Sequence, residues 1–296
     1  MNGAVQRAGY IAIVGRPNVG KSTLLNRLVG QKLSITSRKA QTTRHRVTGI
    51  LTRGATQYVF VDTPGYQTER AGALNRLMNH VVTRSLREVD VALFVVEAGR
   101  FDARDARVAK ELPRGVPTLL VINKTDRMAD PRMLLPFIDR VRGECPFAAI
   151  VPVSAQTGAQ LGELLDEIRP HLPQSDALYE GGEWSDRDER FFAAEFLREK
   201  LYRLLGEELP YSMTVVVDRF ERRGGLRRIA ASILVDKVAH RAIVIGAGGA
   251  RLKTIASQAR ADLEQLFGGK VFLEVWVKVR RGWADDERAL KQLGYG

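Results

Sequence analysis

Cysteine is nearly absent from this sequence of 296 residues, which contains Cys145 alone and four scattered histidines. A single thiol excludes an internal disulfide and is typical of a protein in a reducing cytoplasm. A zinc site built from cysteine and histidine would lack enough ligands. We therefore expect Cys145 to be a small packing residue.

Long apolar runs are missing as well. The sequence has no stretch of about 18 consecutive apolar residues, so we predict no transmembrane helix. Residues 1–7 lack the apolar core of a signal peptide. The ordinary hydrophobic content of 45% indicates a globular protein, and the length suits two domains with separate cores.

Acidic residues are fewer than basic ones, and the formal net charge is +12. Residues 219–281 carry a net charge of +9 and follow an acidic stretch, 174–218, with a net charge of −6. A localised basic block favours a polyanionic partner, most often a nucleic acid. A solvated basic surface without any partner remains the alternative.

The first motif is a G-x-x-x-x-G-K-S sequence at residues 15–22. It follows the apolar run Tyr10–Val14 and precedes a helical pattern, and strand, glycine loop and helix together are typical of a phosphate-binding loop. Lys21 is predicted to bridge the β- and γ-phosphates, and the Ser22 hydroxyl to bind Mg²⁺. The predicted phosphate-side residues are Gly15, Arg16, Pro17, Asn18, Val19, Gly20, Lys21, Ser22 and Thr23.

Three further motifs follow apolar runs, as expected for the strand ends of a doubly wound, mostly parallel α/β sheet. The runs are Tyr58–Val61, Val91–Val96, Thr118–Ile122 and a further candidate, Ala149–Val153, and helical patterns lie roughly at 71–87, 102–112, 132–142 and 159–171. Asp62 is predicted to hold Mg²⁺ through water, and the Gly65 N–H to meet the γ-phosphate. Asp126 would accept two hydrogen bonds from guanine, with a backbone N–H after Ser154 completing the base pocket. The residues are Asp62, Thr63, Pro64, Gly65 and Tyr66, then Asn123, Lys124 and Asp126, then Ser154 and Ala155. All four motifs in this order predict a P-loop domain that binds GTP or GDP.

The segment 34–47 lies where a nucleotide-sensing loop belongs. Thr42 or Thr43 is expected to give Mg²⁺ a second hydroxyl, and we favour Thr43. The predicted metal set is Ser22, Thr43 and Asp62, and the predicted catalytic set is Lys21, Thr43, Gly65 and Asn18.

The second half has a different pattern. We predict a GTPase domain over 1–175, a linker over 176–190 and an α+β domain over 191–296. Its order of helix, two strands, helix, Gly246-Ala247-Gly248-Gly249, helix and strand is typical of a type II KH domain. The glycine loop of such a domain clamps single-stranded RNA. The predicted RNA-binding residues are Arg222, Arg223, Gly246, Ala247, Gly248, Gly249, Arg251 and Lys253.

With these motifs, the sequence resembles the bacterial Era GTPases over almost its whole length. The shared stretches include Gly15–Thr23, Ser34–Arg46, Gly206–Tyr211 and Trp283–Leu290. The resemblance implies a GTPase that binds the 3′ end of 16S rRNA and acts in 16S rRNA maturation and assembly of the 30S ribosomal subunit. It also implies cytoplasmic residence with peripheral association at the inner membrane, and we expect a monomer.

Two features modify this expectation. Ala247 and Gly248 stand inside the glycine loop, where the family usually has a basic residue, so phosphate contact falls to backbone N–H groups and to Arg251 or Lys253. Tyr66 stands where Ras-like enzymes have a glutamine that positions water, and slow hydrolysis is therefore expected. Resemblance to related GTPases adds K⁺, held in part by Asn18, as a candidate cofactor; the alternative is that Asn18 only bonds its own loop.

Two other functions stay open from the sequence. One is a membrane-associated, GTP-dependent signalling switch whose basic block binds anionic lipid. The other is a GTP-binding RNA chaperone in which hydrolysis is incidental.

Overall fold

The computed structural model describes residues 6–37, 39, 42–65, 73–206, 209–286, 288, 290 and 293. The chain divides into two units. The first comprises the described residues of 1–34, 43–70 and 75–186, and the second those of 35–42, 71–74 and 187–296.

The first unit contains a sheet of six strands: β1 Arg7–Val14, β2 Val47–Arg53, β3 Thr56–Asp62, β4 Val91–Glu97, β5 Thr118–Asn123 and β6 Ala149–Pro152. Their order in the sheet is β2-β3-β1-β4-β5-β6. All neighbours are parallel except β2, which is antiparallel to β3. Strands β3 and β5 are buried along their whole length, and β1 and β4 along most of theirs, because helices cover both faces.

In the described part of this unit, four α-helices connect these strands and a fifth follows β6: α1 Lys21–Val29, α2 Ala73–Arg87, α3 Ala103–Lys110, α4 Leu134–Val141 and α5 Leu161–Ile168. The doubly wound fold predicted from the apolar runs is confirmed. The predicted helices at 102–112, 132–142 and 159–171 are present, and each is shorter than its sequence pattern.

Strand β2 was not among the predicted strands. Gly49 lies in its middle, and a Cβ there would lie 2.7 Å from Leu25 Cδ1 of α1. Glycine lets α1 approach the strand closely, although it weakens the strand signal in the sequence. Four buried residues, from Val47 to Ile50, precede the exposed end of the strand.

The second unit packs three helices on one face of a three-stranded sheet. The helices are α6 Glu189–Leu204, α7 Val238–Ile245 and α8 Ala250–Phe267; the strands are β7 Met213–Arg223, β8 Leu226–Val235 and β9 Val271–Val279. Strand β8 is antiparallel to β7 and parallel to β9. Leu197, Ile233, Val244 and Ile255 share the hydrophobic core. The predicted order of elements in this half is confirmed.

The predicted domain limits at 175 and 191 stay predictions. The described segment that follows residue 175 contacts the first unit: Gln57 Oε1 accepts hydrogen bonds from the backbone N–H groups of Leu178 and Tyr179. The carbonyl of Trp184 accepts the N–H of Ile50 in β2. Within the described chain, no helix is long and apolar enough to cross a bilayer.

Candidate functional site

The phosphate loop lies between β1 and α1. Gly20 begins α1 with φ at 104°, a conformation that favours glycine, and a Cβ there would lie 2.3 Å from Asn123 Nδ2. Lys21 is buried, and its Nζ donates to the carbonyls of Gly15 at 2.9 Å and Arg16 at 3.0 Å. Burial lowers the pKa of Lys21 to about 8. The Lys21 ammonium group is thus held by carbonyl groups of its own loop, and a bound phosphate would compete with them for it.

The three predicted metal ligands lie together. Asp62 Oδ2 accepts from Ser22 Oγ at 2.7 Å and from Ser34 Oγ at 2.6 Å, and Ser22 Oγ lies 2.9 Å from Thr43 Oγ1. Thr42 differs, because its hydroxyl is bonded to Ser37 Oγ and to the Lys39 carbonyl. The geometry therefore favours Thr43 over Thr42.

One oxygen of the Asp62 carboxylate differs from the other in its hydrogen bonding. Its Oδ1 is buried and has no hydrogen-bond partner among the described residues. Burial raises the pKa of Asp62, while the hydroxyls of Ser34 and Ser22 oppose the shift. A buried carboxylate with an unsatisfied oxygen, next to two hydroxyls, is an oxygen donor set that fits Mg²⁺.

The loop after β3 approaches the phosphate loop closely. A Cβ at Gly65 would lie 2.9 Å from Pro17 Cγ and 3.1 Å from Pro17 Cα, so no larger residue fits without moving the backbone. Thr63 Oγ1 donates to the Ile13 carbonyl at 2.9 Å and fastens the start of this loop to β1. Pro64 lies between them. Tyr66, the last predicted residue of this motif, lies outside the described residues.

The guanine-side motifs meet through Asn123 and Ser154. Asn123 is buried at the end of β5; its amide nitrogen donates to the Val19 carbonyl at 2.8 Å, and its oxygen accepts from the Ala155 N–H at 3.0 Å. Ser154 Oγ donates to Asp126 Oδ1 at 2.5 Å. Asn123 consequently connects the phosphate loop, through Val19, to the predicted base pocket, through Ala155. Asp126 is exposed, so a ligand can reach it.

Asn18 and Lys124 adopt left-handed backbone conformations, each with φ at 66°. Lys124 Nζ donates to the Asn18 carbonyl at 2.7 Å and pairs with Glu97 at 3.1 Å. The backbone of Asn18 is thereby fixed, and the residue is exposed at the rim of the loop. Val19 next to it is fully buried.

Sequence reasoning missed the partners of Arg16. Arg16 Nε donates to both carboxylate oxygens of Asp105, at 3.1 and 3.2 Å, and its Nη2 donates to Glu97 at 3.3 Å. Asp105 is completely buried and also closes the capping box of α3 by accepting from the Asp102 N–H. The capping box is visible in the sequence, but its orientation toward the phosphate loop is not.

The predicted RNA-binding residues lie in the second unit, at two places. Arg222 and Arg223 are exposed at the hairpin between β7 and β8. Their neighbour Arg227 is buried and forms an ion pair with Glu189 at 2.6 Å, and its guanidinium lies over the Phe267 ring. The hairpin therefore contains both an accessible basic tip and a structural arginine.

The glycine loop connects α7 to α8. Gly246, Gly248 and Gly249 have φ values of 73°, 54° and 78°, and Ala247 and Gly248 are exposed. A Cβ at Gly248 would meet nothing within 4 Å, so a bound backbone has room to approach. Arg251 Nη1 donates to the Ile243 carbonyl at 2.6 Å at the end of α7, and Lys253 is exposed on α8.

Comparison with known proteins agrees with both halves. Residues 10–124 match the family model described as 50S ribosome-binding GTPase, and residues 208–284 match the KH domain. GTPase Era from Nitrosomonas eutropha is 55% identical, with the whole of both chains covered. GTPase Era from Chromobacterium violaceum is 58% identical, with 97% of each chain covered.

Two solved structures are similar over nearly the whole chain. One is Era in complex with MgGDPNP and nucleotides 1506–1542 of 16S ribosomal RNA, and the other is an Aquifex aeolicus Era variant bound to GDP·AlF4⁻. Each is 38% identical, with a TM-score of 0.94 and coverage of 98% of this chain and 99% of the other. Since relatives more than half identical span this chain from end to end, it belongs to the Era family of GTPases.

Proposed function

We propose that this GTPase binds the 3′ end of 16S rRNA through its second unit and acts in 16S rRNA maturation and assembly of the 30S subunit. The observation that carries the proposal is the likeness, at a TM-score of 0.94, to an Era bound to MgGDPNP and to nucleotides 1506–1542 of 16S rRNA. The exposed glycine loop and the basic hairpin tip supply the RNA-binding chemistry in this chain.

For the nucleotide, the structure supports distinct roles for its residues. Ser22, Thr43 and Asp62 would hold Mg²⁺, which when bound neutralises phosphate charge. Lys21 would turn from its loop carbonyls to the phosphates, and Asp126 would accept hydrogen bonds from guanine. Asn123 holds the phosphate loop and the predicted base pocket in fixed positions relative to each other.

We further propose that K⁺ takes part in hydrolysis. Charge that develops between the β- and γ-phosphates requires a cation, and electrostatic stabilisation is usually the largest catalytic term. Asn18 is exposed at the rim of the phosphate loop, and Lys124 holds its backbone there. Hydrolysis should be faster in K⁺ than in Na⁺ at equal ionic strength, and Asn18→Ala should remove the difference. Equal rates in the two salts would exclude the cation from the mechanism.

Binding to RNA of the sequence 1506–1542, compared with a scrambled RNA, tests the rRNA proposal. Gly248→Asp adds a negative charge where a phosphate would lie, and we expect at least a tenfold loss of affinity. Gly115→Asp is the matched control, because Gly115 in the first unit also has a positive φ and open space around it. Unchanged affinity in folded Gly248→Asp would assign the RNA contact to another place, first the hairpin tip.

The cellular role is tested by replacing the chromosomal copy with Gly248→Asp. Accumulation of 16S precursor with an unprocessed 3′ end, together with loss of mature 30S subunits, is the expected outcome. Such a role requires residence in the cytoplasm, where ribosomes assemble, and we propose peripheral association at the inner membrane as well. A protein that leaves 16S processing normal but requires anionic membranes would instead be the signalling switch.

A further inference from the structure

The outer face of the β7-β8-β9 sheet presents two aromatic side chains. Strand β9 alternates: Val271 and Val277 point into the core, whereas Phe272 and Trp276 are each 46% exposed. Successive side chains of a strand point to opposite faces, so Phe272, Glu274 and Trp276 share the outer face. Aromatic side chains contribute much of the contact area at binding surfaces.

Cations stand at both ends of this row. Arg228 of β8 is opposite Phe272 in the register, and its guanidinium lies 5.5 Å from the centre of the Phe272 ring. At the other end Lys278 is exposed and lies 3.5 Å from Asp218. The order along the face is therefore cation, ring, carboxylate, ring, cation.

This order fits single-stranded nucleic acid. Bases stack on aromatic rings, and every base offers a face for stacking. Glu274 between the rings is an acceptor for amino groups on base edges. Arg228 and Lys278 are placed for phosphates on either side of two stacked bases.

The same strand packs against the two helices that flank the predicted RNA-binding loop. The inward residues Leu273, Val275 and Val279 pack on the core that α7 and α8 share, and these two helices flank the glycine loop. Strand β9 is an edge strand of its sheet. An RNA held at the loop would pass this edge to reach the outer face.

We propose that Phe272, Glu274 and Trp276 form a second RNA-binding surface, on which unpaired bases stack while Arg228 and Lys278 contact phosphates. The inference rests on the proposed binding of rRNA by this unit and adds a site outside the glycine loop. It predicts that bound RNA must have unpaired bases in addition to those that the loop clamps.

The test uses the full chain and RNA of the sequence 1506–1542. Trp276→Ala and Phe272→Ala should each weaken binding by about tenfold or more, as expected for the loss of one stacked base. Trp276→Phe should keep most of the affinity. Val238→Ala is the control for an exposed apolar side chain, because Val238 lies in the same unit and is 63% exposed.

A second readout locates the contact directly. Photocrosslinking with 4-thiouridine in the RNA should label the peptide that contains residues 271–279, and the label should persist in Gly115→Asp. In competition, a single-stranded RNA should displace the probe from the wild type, and a fully paired duplex of the same length should not.

The outcomes separate this inference from the proposed function. If Gly248→Asp loses binding while Trp276→Ala and Phe272→Ala bind like the wild type, the rRNA proposal stands and the stacking surface is wrong. If the wild type does not prefer 1506–1542 over scrambled RNA, the rRNA proposal itself fails. Variants that bind RNA normally but lose self-association or vesicle binding would assign the face to another partner and overturn the inference.

Discussion

The substitution Asn123→Ala tests whether the guanine motif also acts as a scaffold. Asn123 is 1% exposed and joins the Val19 carbonyl to the Ala155 N–H. Both partners are backbone groups in buried residues. Alanine removes both hydrogen bonds and offers nothing in return.

The magnitude follows from these two lost partners. A buried polar group left unsatisfied costs about 1–3 kcal/mol, and a carbonyl is less demanding than an N–H. We expect Asn123→Ala to lower the free energy of unfolding of the first unit by about 2–4 kcal/mol without any nucleotide present. For a unit of this size, the corresponding drop in its melting temperature is about 5–15 °C.

Differential scanning calorimetry of the nucleotide-free chain measures this drop, with the transition of the second unit as an internal reference. Asp126→Asn is the matched control, because Asp126 is exposed and asparagine keeps an oxygen that accepts from Ser154. This control should melt like the wild type although it changes base recognition. An Asn123→Ala protein that melts at the wild-type temperature but binds GDP poorly would refute the scaffold role.

Three further predictions concern the nucleotide site. Burial lowers the pKa of Lys21 to about 8, and bound phosphate favours the charged amine. Nucleotide binding should therefore take up protons near pH 8, and nucleotide affinity should fall as the pH rises further. Calorimetric titration in two buffers of different ionisation enthalpy measures the proton uptake, which Lys21→Arg should abolish. Gly65→Ala would bring a methyl group within 3.1 Å of the Pro17 backbone, so GTP hydrolysis should fall at least tenfold in a single-turnover assay while GDP affinity changes little. Asp126→Asn should move preference from GTP toward xanthosine triphosphate, at a cost to GTP binding of about 2–5 kcal/mol in competition titrations.

The parts of the nucleotide site that could be predicted are those whose residues are close together in the sequence. Gly20, Lys21 and Ser22 are adjacent in the chain, and the strand before them positions the loop. Both the motif and its geometry could therefore be predicted from the sequence. Asp62 and Asn123 were predicted because parallel strands end at one edge of a sheet.

What could not be predicted depends on side chains far apart in sequence. Arg16 and Asp105 are separated by 89 positions, and nothing in either neighbourhood marks them as a buried pair. Strand β2 was missed because Gly49 serves packing against α1, which contradicts local strand preference. The hydrogen bonds from Leu178 and Tyr179 to Gln57 could not be predicted either. A turn-rich composition does not show which backbone groups form hydrogen bonds with distant side chains.

The parallel pairing of β8 with β9 affects the order in which the two units can fold during synthesis. All six strands of the first sheet have been made once the nascent chain reaches Pro152, whereas β9 begins only at Val271. Parallel neighbours require a long crossover, here α7 and α8. Until that crossover leaves the ribosome, β8 has an unpaired edge that is prone to aggregation. Limited proteolysis of ribosome-bound chains halted before Val271 should show a protected first unit and a cleavable second one. The protein would therefore acquire its catalytic half well before it acquires a complete RNA-binding half.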